Sequence, residues 1–131
     1  MRALLDTHVL IHWVEGGSRL TPGQRGALEA ATEDEPVMVS DITLWEVAML
    51  ANLQRIRLDR PLRDWLDAAV APPRVRRVSI SAAVVHEVAA LPSTFRRDPA
   101  DRIIVASART MGATLLTQDR HIIDSGLVPT L

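Results

Sequence analysis

The chain has 131 residues, of which 47% are hydrophobic and 24% are charged, and its formal net charge is −1. This composition indicates one globular domain, and it excludes a disordered chain, a membrane span of roughly 18 apolar residues and any disulfide or cysteine chemistry. We expect a cytoplasmic protein, because Asp6 and His8 interrupt the apolar stretch that a signal peptide needs.

Short apolar runs alternate with helical patterns along the chain. The predicted strands are R-A-L-L-D at the start, Val37–Val39, Val78–Ile80, Ala113–Thr117 and an edge strand at Gly126–Pro129. The predicted helices are Thr7–Glu15, Pro22–Thr32, a segment from Ser40–Thr43 to Leu50, Pro61–Ala69, Ser81–Leu91 and Pro99–Met111. This alternation predicts a single α/β domain with a mostly parallel sheet covered by helices on both faces.

Several acidic residues follow predicted strands. Asp6 comes directly after the first strand and Asp119 directly after the fourth, while Glu46 lies about one turn into the helix after the second. Ligands of such sheets bind beyond the carboxyl ends of the strands, so we expect these side chains at one edge. Asp101 begins the helix before the fourth strand, and the sequence does not fix whether that helix starts at the same edge.

Each of these acids also has a local explanation. Asp6 could cap the helix that starts at Thr7. Thr43 and Glu46 match a capping box, which for Glu46 alone is the favoured interpretation. Asp119 could be an ordinary turn residue. Convergence of the acids is therefore the feature that decides between structure and chemistry.

The segment R-D-P-A-D-R contains two aspartates with different predicted roles. Asp98 is best explained as a helix cap before Pro99, and Asp101 suits the first helical turn. Two carboxylates about 4 Å apart repel by roughly 4 kcal/mol at an effective dielectric near 20, so a cluster of acids needs a cation. Oxygen ligands favour Mg²⁺ or Mn²⁺ over zinc, so a convergent cluster would be a metal site.

Other chemistries fit less well. His8 and His12 have the spacing of a zinc pair, but no glutamate lies between them, while His86 and His121 are isolated. All fifteen basic residues are arginine, which argues against aspartyl-phosphate enzymes and receiver domains, because both use a lysine. There is no glycine-rich phosphate loop and no G-x-S-x-G motif. Of the chemistries considered, metal-assisted hydrolysis is the one that the sequence still allows.

Four segments occur in a familiar order: L-L-D-T-H-V-L-I-H-W, S-D-I-T-L-W-E-V-A, R-D-P-A-D-R-I-I-V-A-S-A and L-L-T-Q-D. Together they resemble a PIN domain of the VapC toxin type over nearly the whole chain. The resemblance implies one PIN domain over residues 1–131 with a three-layer α/β/α sandwich. It also implies a type II toxin–antitoxin ribonuclease using Mg²⁺ or Mn²⁺, a VapB-like antitoxin partner and a toxin homodimer.

The resemblance assigns catalysis and metal binding to four acids, Asp6, Glu46, Asp101 and Asp119, with Asp98 as a further candidate ligand. RNA would be hydrolysed by metal-activated water. We expect Thr117 to hold an acid or a water through its hydroxyl. Three arginines near the site in sequence are candidates for binding RNA phosphate or for plain surface solubility: Arg96, Arg97 and Arg102. The alternative function is a catalytically inactive PIN-like module that binds RNA or protein, against which the four intact acids argue.

Overall fold

The computed structural model describes residues 1–131. Its strands are β1 (Ala3–Leu5), β2 (Val37–Ser40), β3 (Val75–Val78) and β4 (Thr114–Leu116). Its helices are α1 (Thr7–Val14), α2 (Pro22–Glu29), α3 (Asp41–Asn52), α4 (Leu62–Ala69), α5 (Ala82–Ala90), α6 (Pro99–Met111) and α7 (Arg120–Ser125). None of the helices is a candidate for a membrane span.

The four strands form one sheet in the order β3-β2-β1-β4, and every neighbouring pair is parallel. The prediction of a mostly parallel sheet is therefore confirmed. Because all strands run in the same direction, their carboxyl ends lie at one edge of the sheet. The central position of β1 places Asp6, the residue after it, in the middle of that edge.

Alternation of side chains along the strands divides the core into two layers. In β1, Ala3 and Leu5 pack in the layer with buried residues of α1 to α4, whereas Leu4 packs with those of α5, α6 and α7. Both faces of the sheet are thus covered by helices. This arrangement is the α/β/α sandwich that the resemblance implied.

The caps that start α2 and end α6 follow the sequence closely. Thr21 and Gln24 form a capping box at α2 with Pro22 at the first helical position, although this helix ends at Glu29, before the predicted Thr32. α6 ends at Gly112, whose φ of 59° lies in the left-handed region that glycine adopts most easily.

The third strand is Val75–Val78, so the predicted Val78–Ile80 was placed too late. The two central residues of β3 are exposed arginines, Arg76 and Arg77, which break the apolar run that was used to find buried strands. β3 lies at the edge of the sheet, where charged side chains are common. Ile80 lies outside the sheet and is 42% exposed.

The C-terminal segment also differs from the prediction. Gly126–Pro129 forms no strand, and only Thr130 makes an isolated bridge, to Leu115 of β4. The preceding residues form helix α7, which was not predicted. It is only six residues long, and it lies between the cap Asp119 and Gly126.

The three tryptophans have three different environments. Trp65 is buried at 1% exposure, and Trp13 packs at the margin of the core. Trp45 is 56% exposed, so it is not a core residue.

Candidate active site

Asp6 is held at the end of β1 by two hydrogen bonds. One carboxylate oxygen accepts from the backbone N–H of Thr7 at 2.8 Å, which caps α1, and the other accepts from the Thr117 hydroxyl at 2.7 Å. Asp6 is only 6% exposed, and burial raises the pKa of its carboxyl, while the Thr117 hydrogen bond partly offsets this effect. The capping role is therefore real, but it uses only one of the two oxygens.

Thr117 also connects Asp6 to Asp119. Its hydroxyl oxygen accepts a hydrogen bond from the Asp119 backbone N–H at 3.0 Å while it donates to Asp6. Asp119 in turn caps α7 through the N–H of His121. The structure thus places Thr117 between two strand-end acids, in contact with both.

Asp101 reaches the same edge because α6 begins there. Asp98 caps this helix by accepting from the N–H of Asp101 at 3.1 Å, with Pro99 at the first helical position, as the sequence predicted. Asp101 is 8% exposed, and burial is the main cause that raises the pKa of its carboxyl. The start of α6 at this edge brings Asp101 near Asp6. The negative charge of Asp6 raises the pKa of Asp101 further.

Arg96 links Asp101 to Asp119. Its Nη1 donates to an oxygen of each carboxylate at 2.9 Å, and its Nη2 lies 3.4 Å from the second oxygen of Asp119. The Arg96 side chain is 36% exposed, compared with 12% for Asp101 and 28% for Asp119. These are the only ion pairs that the acids of the site make.

Glu46 enters the site from α3. The capping-box interpretation is wrong, because α3 begins at Asp41 with Ser40 as its cap, which leaves Glu46 inside the helix. Burial raises the pKa of Glu46, and the charges of Asp101 and Asp6 raise it further. Its carboxylate makes no ion pair and faces the other acids, while a hydrogen bond with the Thr7 side chain lowers its pKa in part.

Glu46, Asp98 and Asp101 form the tightest group of acids, with one oxygen from each lying within 4.8 Å of the others. Asp98 was expected mainly to cap α6. The structure places it in this group as well as at the cap.

A cleft of about 440 Å³ joins all five acids: Asp6, Glu46, Asp98, Asp101 and Asp119. Arg55 and Arg96 are the arginines that line it, so five carboxylates face two guanidinium groups. The cleft is therefore negative and partly dehydrated. An all-oxygen donor set with excess negative charge fits a hard divalent cation.

The histidines do not form a zinc site with the acids. His8 and His12 line the cleft, but their ring centroids are 6.5 Å apart, and neither belongs to a group of three ligand atoms close enough to share an ion. His12 Nδ1 is buried without a hydrogen-bond partner. His121 contacts the ring of Phe95, and His86 is exposed.

The three candidate arginines have different environments. Arg96 binds acids, whereas Arg102 donates to the backbone carbonyls of Val88, Phe95 and Arg96. Arg97 is exposed and makes no side-chain hydrogen bond or ion pair. Arg97 is thus the one of the three whose guanidinium is free for a ligand.

Sequence reasoning missed Arg55, Gln118 and Met49, which also line the cleft. Gln118 adjoins Asp119 in L-L-T-Q-D, so its position was a usable signal. Arg55 lies in the turn after α3, and no local pattern indicated that this turn reaches the acids.

A family model, the PIN domain, matches residues 3–125. The chain is 40% identical over 119 residues to Ribonuclease VapC22 of Mycobacterium tuberculosis. The aligned region covers 91% of this chain and 88% of that protein.

Several solved structures share the fold. VapBC2 from Rickettsia felis bound to a promoter DNA fragment matches with a TM-score of 0.73 and 15% identity over 100% of this chain and 98% of the other. A toxin–antitoxin complex from Klebsiella pneumoniae matches with a TM-score of 0.64 and 23% identity over 96% and 94% of the two chains. The family match and the sequence relative confirm the resemblance, and the chain therefore belongs to the PIN-domain family and is of the VapC type.

Proposed function

We propose that this chain is a metal-dependent ribonuclease and the toxin of a type II toxin–antitoxin module. The observation that carries the proposal is the gathering of Asp6, Glu46, Asp101 and Asp119 around one cleft with only two arginines opposite them. The relative named Ribonuclease VapC22 supports RNA as the substrate.

The proposed ion is Mg²⁺ or Mn²⁺, because every candidate ligand offers oxygen. Such an ion, when bound, activates water and neutralises negative charge on the phosphate. Asp6 and Asp101 are the first proposed ligands, since both are buried and both line the cleft. Asp119 is the next, and Asp98 is a further candidate because it belongs to the tightest group of acids, with Glu46 and Asp101.

Glu46 is proposed to act as a ligand or as the base that accepts a proton from the attacking water. Burial raises the pKa of its carboxyl above the ordinary value, which suits a group that must take up a proton. No arginine pairs with it, and a hydrogen bond with the Thr7 side chain offsets only part of the rise in its pKa. Thr117 would keep Asp6 in one orientation through its hydroxyl.

RNA phosphate needs positive charge near the cleft, because the acids repel it. Arg97, which does not line the cleft but precedes Asp98 in the chain, is proposed to supply a contact, since its guanidinium is exposed and unpaired. Arg55 lines the cleft and is a second candidate.

A VapB-like antitoxin is the proposed protein partner. The solved structures with the same fold include VapBC complexes from Rickettsia felis and Salmonella typhimurium and a toxin–antitoxin complex from Klebsiella pneumoniae. A toxin homodimer is proposed from the family resemblance.

The test is cleavage of a pool of RNA oligonucleotides by the purified chain with Mg²⁺, with Mn²⁺ or with EDTA. We expect cleavage only with a divalent ion, and a loss of at least about 100-fold in Asp6→Asn and Asp101→Asn. Asp124→Asn is the control, since Asp124 is exposed and makes no hydrogen bond or ion pair.

Circular dichroism must show that the variants remain folded. Cleavage in EDTA, or full activity of both site variants, would contradict the mechanism. RNA binding without cleavage under every condition would favour the inactive binding module.

A further inference from the structure

Arg96 is the only cation that pairs with the proposed ligands. We propose that Arg96 is an internal counter-cation that competes with the divalent ion for Asp101 and Asp119, and that its guanidinium must leave these carboxylates before the ion binds. The inference rests on the proposed function, because it takes these two acids as metal ligands.

The geometry of the contact carries the argument. A single nitrogen, Nη1, lies 2.9 Å from an oxygen of Asp101 and 2.9 Å from an oxygen of Asp119. It therefore lies between the two carboxylates and uses the oxygens that a shared cation would need. Without Arg96, the negative charges of Asp101 and Asp119, which now contact the same nitrogen, would repel each other.

Deprotonation cannot remove this competitor. Arginine stays charged at any physiological pH, and the two carboxylates raise the pKa of Arg96 further. Competition between the cations is therefore relieved only by movement of the side chain.

The side chain has room to move. It is 36% exposed, so it is not enclosed by protein. Arg102 donates to the backbone carbonyl of Arg96, so the main chain is held while the side chain rotates. Displacement would place a free cation at the rim of the cleft, where a substrate phosphate arrives.

The experiment is a Mn²⁺ titration of the intact chain at pH 8, with free Mn²⁺ counted by electron paramagnetic resonance. We expect Arg96→Gln to bind Mn²⁺ about tenfold or more tightly than the wild type, since a charge-assisted hydrogen bond to each acid no longer opposes binding. Arg96→Lys keeps the positive charge but loses the planar guanidinium. Its Mn²⁺ affinity should therefore lie between those of the wild type and Arg96→Gln.

Arg97→Gln is the matched control. It removes the same charge one residue away from an exposed side chain that pairs with nothing. We expect the Mn²⁺ affinity of Arg97→Gln to rise by less than about twofold, because only a long-range, screened electrostatic interaction with the site changes.

Thermal unfolding supplies a second measurement. Without divalent ion, Arg96→Gln should melt below the wild type, because both ion pairs are lost. Saturating Mn²⁺ should close this difference, whereas a purely structural role for Arg96 would leave it unchanged.

If the wild type binds Mn²⁺ and Arg96→Gln binds it equally or more weakly, the proposed competition is overturned, while the proposed metal site is not. If neither protein binds Mn²⁺, the proposed metal site fails and the competition fails with it. Equal tightening in Arg97→Gln would also overturn the proposal, because the effect would then be one of overall charge.

Discussion

The Thr117 hydroxyl donates a 2.7 Å hydrogen bond to the carboxylate of Asp6, although 111 positions separate the two residues. Both residues follow neighbouring parallel strands, β1 and β4, whose register aligns Leu5 with Leu116. The contact is therefore a direct product of the strand pairing. It fixes the orientation of a buried acid whose pKa burial raises.

Thr117→Val should remove this contact with little change of volume. The variant leaves one oxygen of Asp6 and the N–H of Asp119 without their partner, so we expect a loss of about 1–3 kcal/mol in the free energy of unfolding. Urea unfolding followed by circular dichroism measures it. Thr114→Val is the control, since Thr114 lies in the same strand and its hydroxyl makes no hydrogen bond; an equal loss there would contradict the assignment.

Glu46→Gln should change the pH dependence of stability. Burial raises the pKa of Glu46 above its ordinary value of 4.5 in the folded chain, so the folded chain binds its proton more readily than the unfolded chain does. The contribution of Glu46 to stability is thus fully present below the unfolded pKa and is lost as pH rises through the folded pKa.

Without divalent ions, we therefore expect Glu46→Gln to be more stable than the wild type at pH 7 and equally stable near about pH 4. Unfolding in urea at a series of pH values tests this. Glu29→Gln, at an exposed position without hydrogen bonds, should show no such trend. A Glu46→Gln variant that is less stable at pH 7 would show the sign to be wrong.

Arg102→Ala should destabilise the fold, whereas Arg97→Ala should not. Arg102 donates to three backbone carbonyls, one in α5 and two in the loop before α6, and its removal leaves them without that donor. We expect a loss of about 1–3 kcal/mol for Arg102→Ala and a change within about 0.5 kcal/mol for Arg97→Ala. Chemical denaturation measures both, and similar values would argue against the structural role of Arg102.

Arg97→Ala should instead weaken RNA binding. Removing one phosphate contact is expected to lower affinity for every sequence alike and to reduce the dependence on salt by about one ion. Filter binding with EDTA present, at several salt concentrations, measures this without cleavage. An unchanged salt dependence would remove Arg97 from the RNA interface.

The tryptophans offer a matched pair for packing. Trp65→Ala should lower the free energy of unfolding by about 3–5 kcal/mol, because this side chain of α4 is 1% exposed and packs in the core. Trp45→Ala, at 56% exposure, should change stability by less than about 1 kcal/mol. Thermal unfolding distinguishes the two, and a large loss at Trp45 would indicate that it is buried in solution by a second molecule.

The site was more predictable than its charge balance. Asp6 and Asp119 were expected at one edge because they follow strands, and the sheet confirms that placement. The cap at Asp98 was also predicted, since Asp98 and Pro99 together are a strong local signal. These features depend on a few neighbouring residues and on one rule about parallel sheets.

Features that depend on tertiary contacts were not predictable. The capping box at Thr43 and Glu46 satisfied a local pattern, but Ser40 began the helix earlier. Arg76 and Arg77 concealed β3, because only the position of that strand at the edge of the sheet explains why arginines are tolerated there. The contact of Arg96 with two acids depends on the path of a loop, which no periodicity describes.

The central position of β1 also affects the order in which the site can form. β1 pairs on one side with β4, the last of the four strands in chain order. Asp6 therefore lacks Thr117 and Asp119 as neighbours until β4 has joined the sheet. A folding intermediate without this pairing cannot gather the acids at one edge, so the acidic cleft is complete only when a strand pairing between distant parts of the chain is in place.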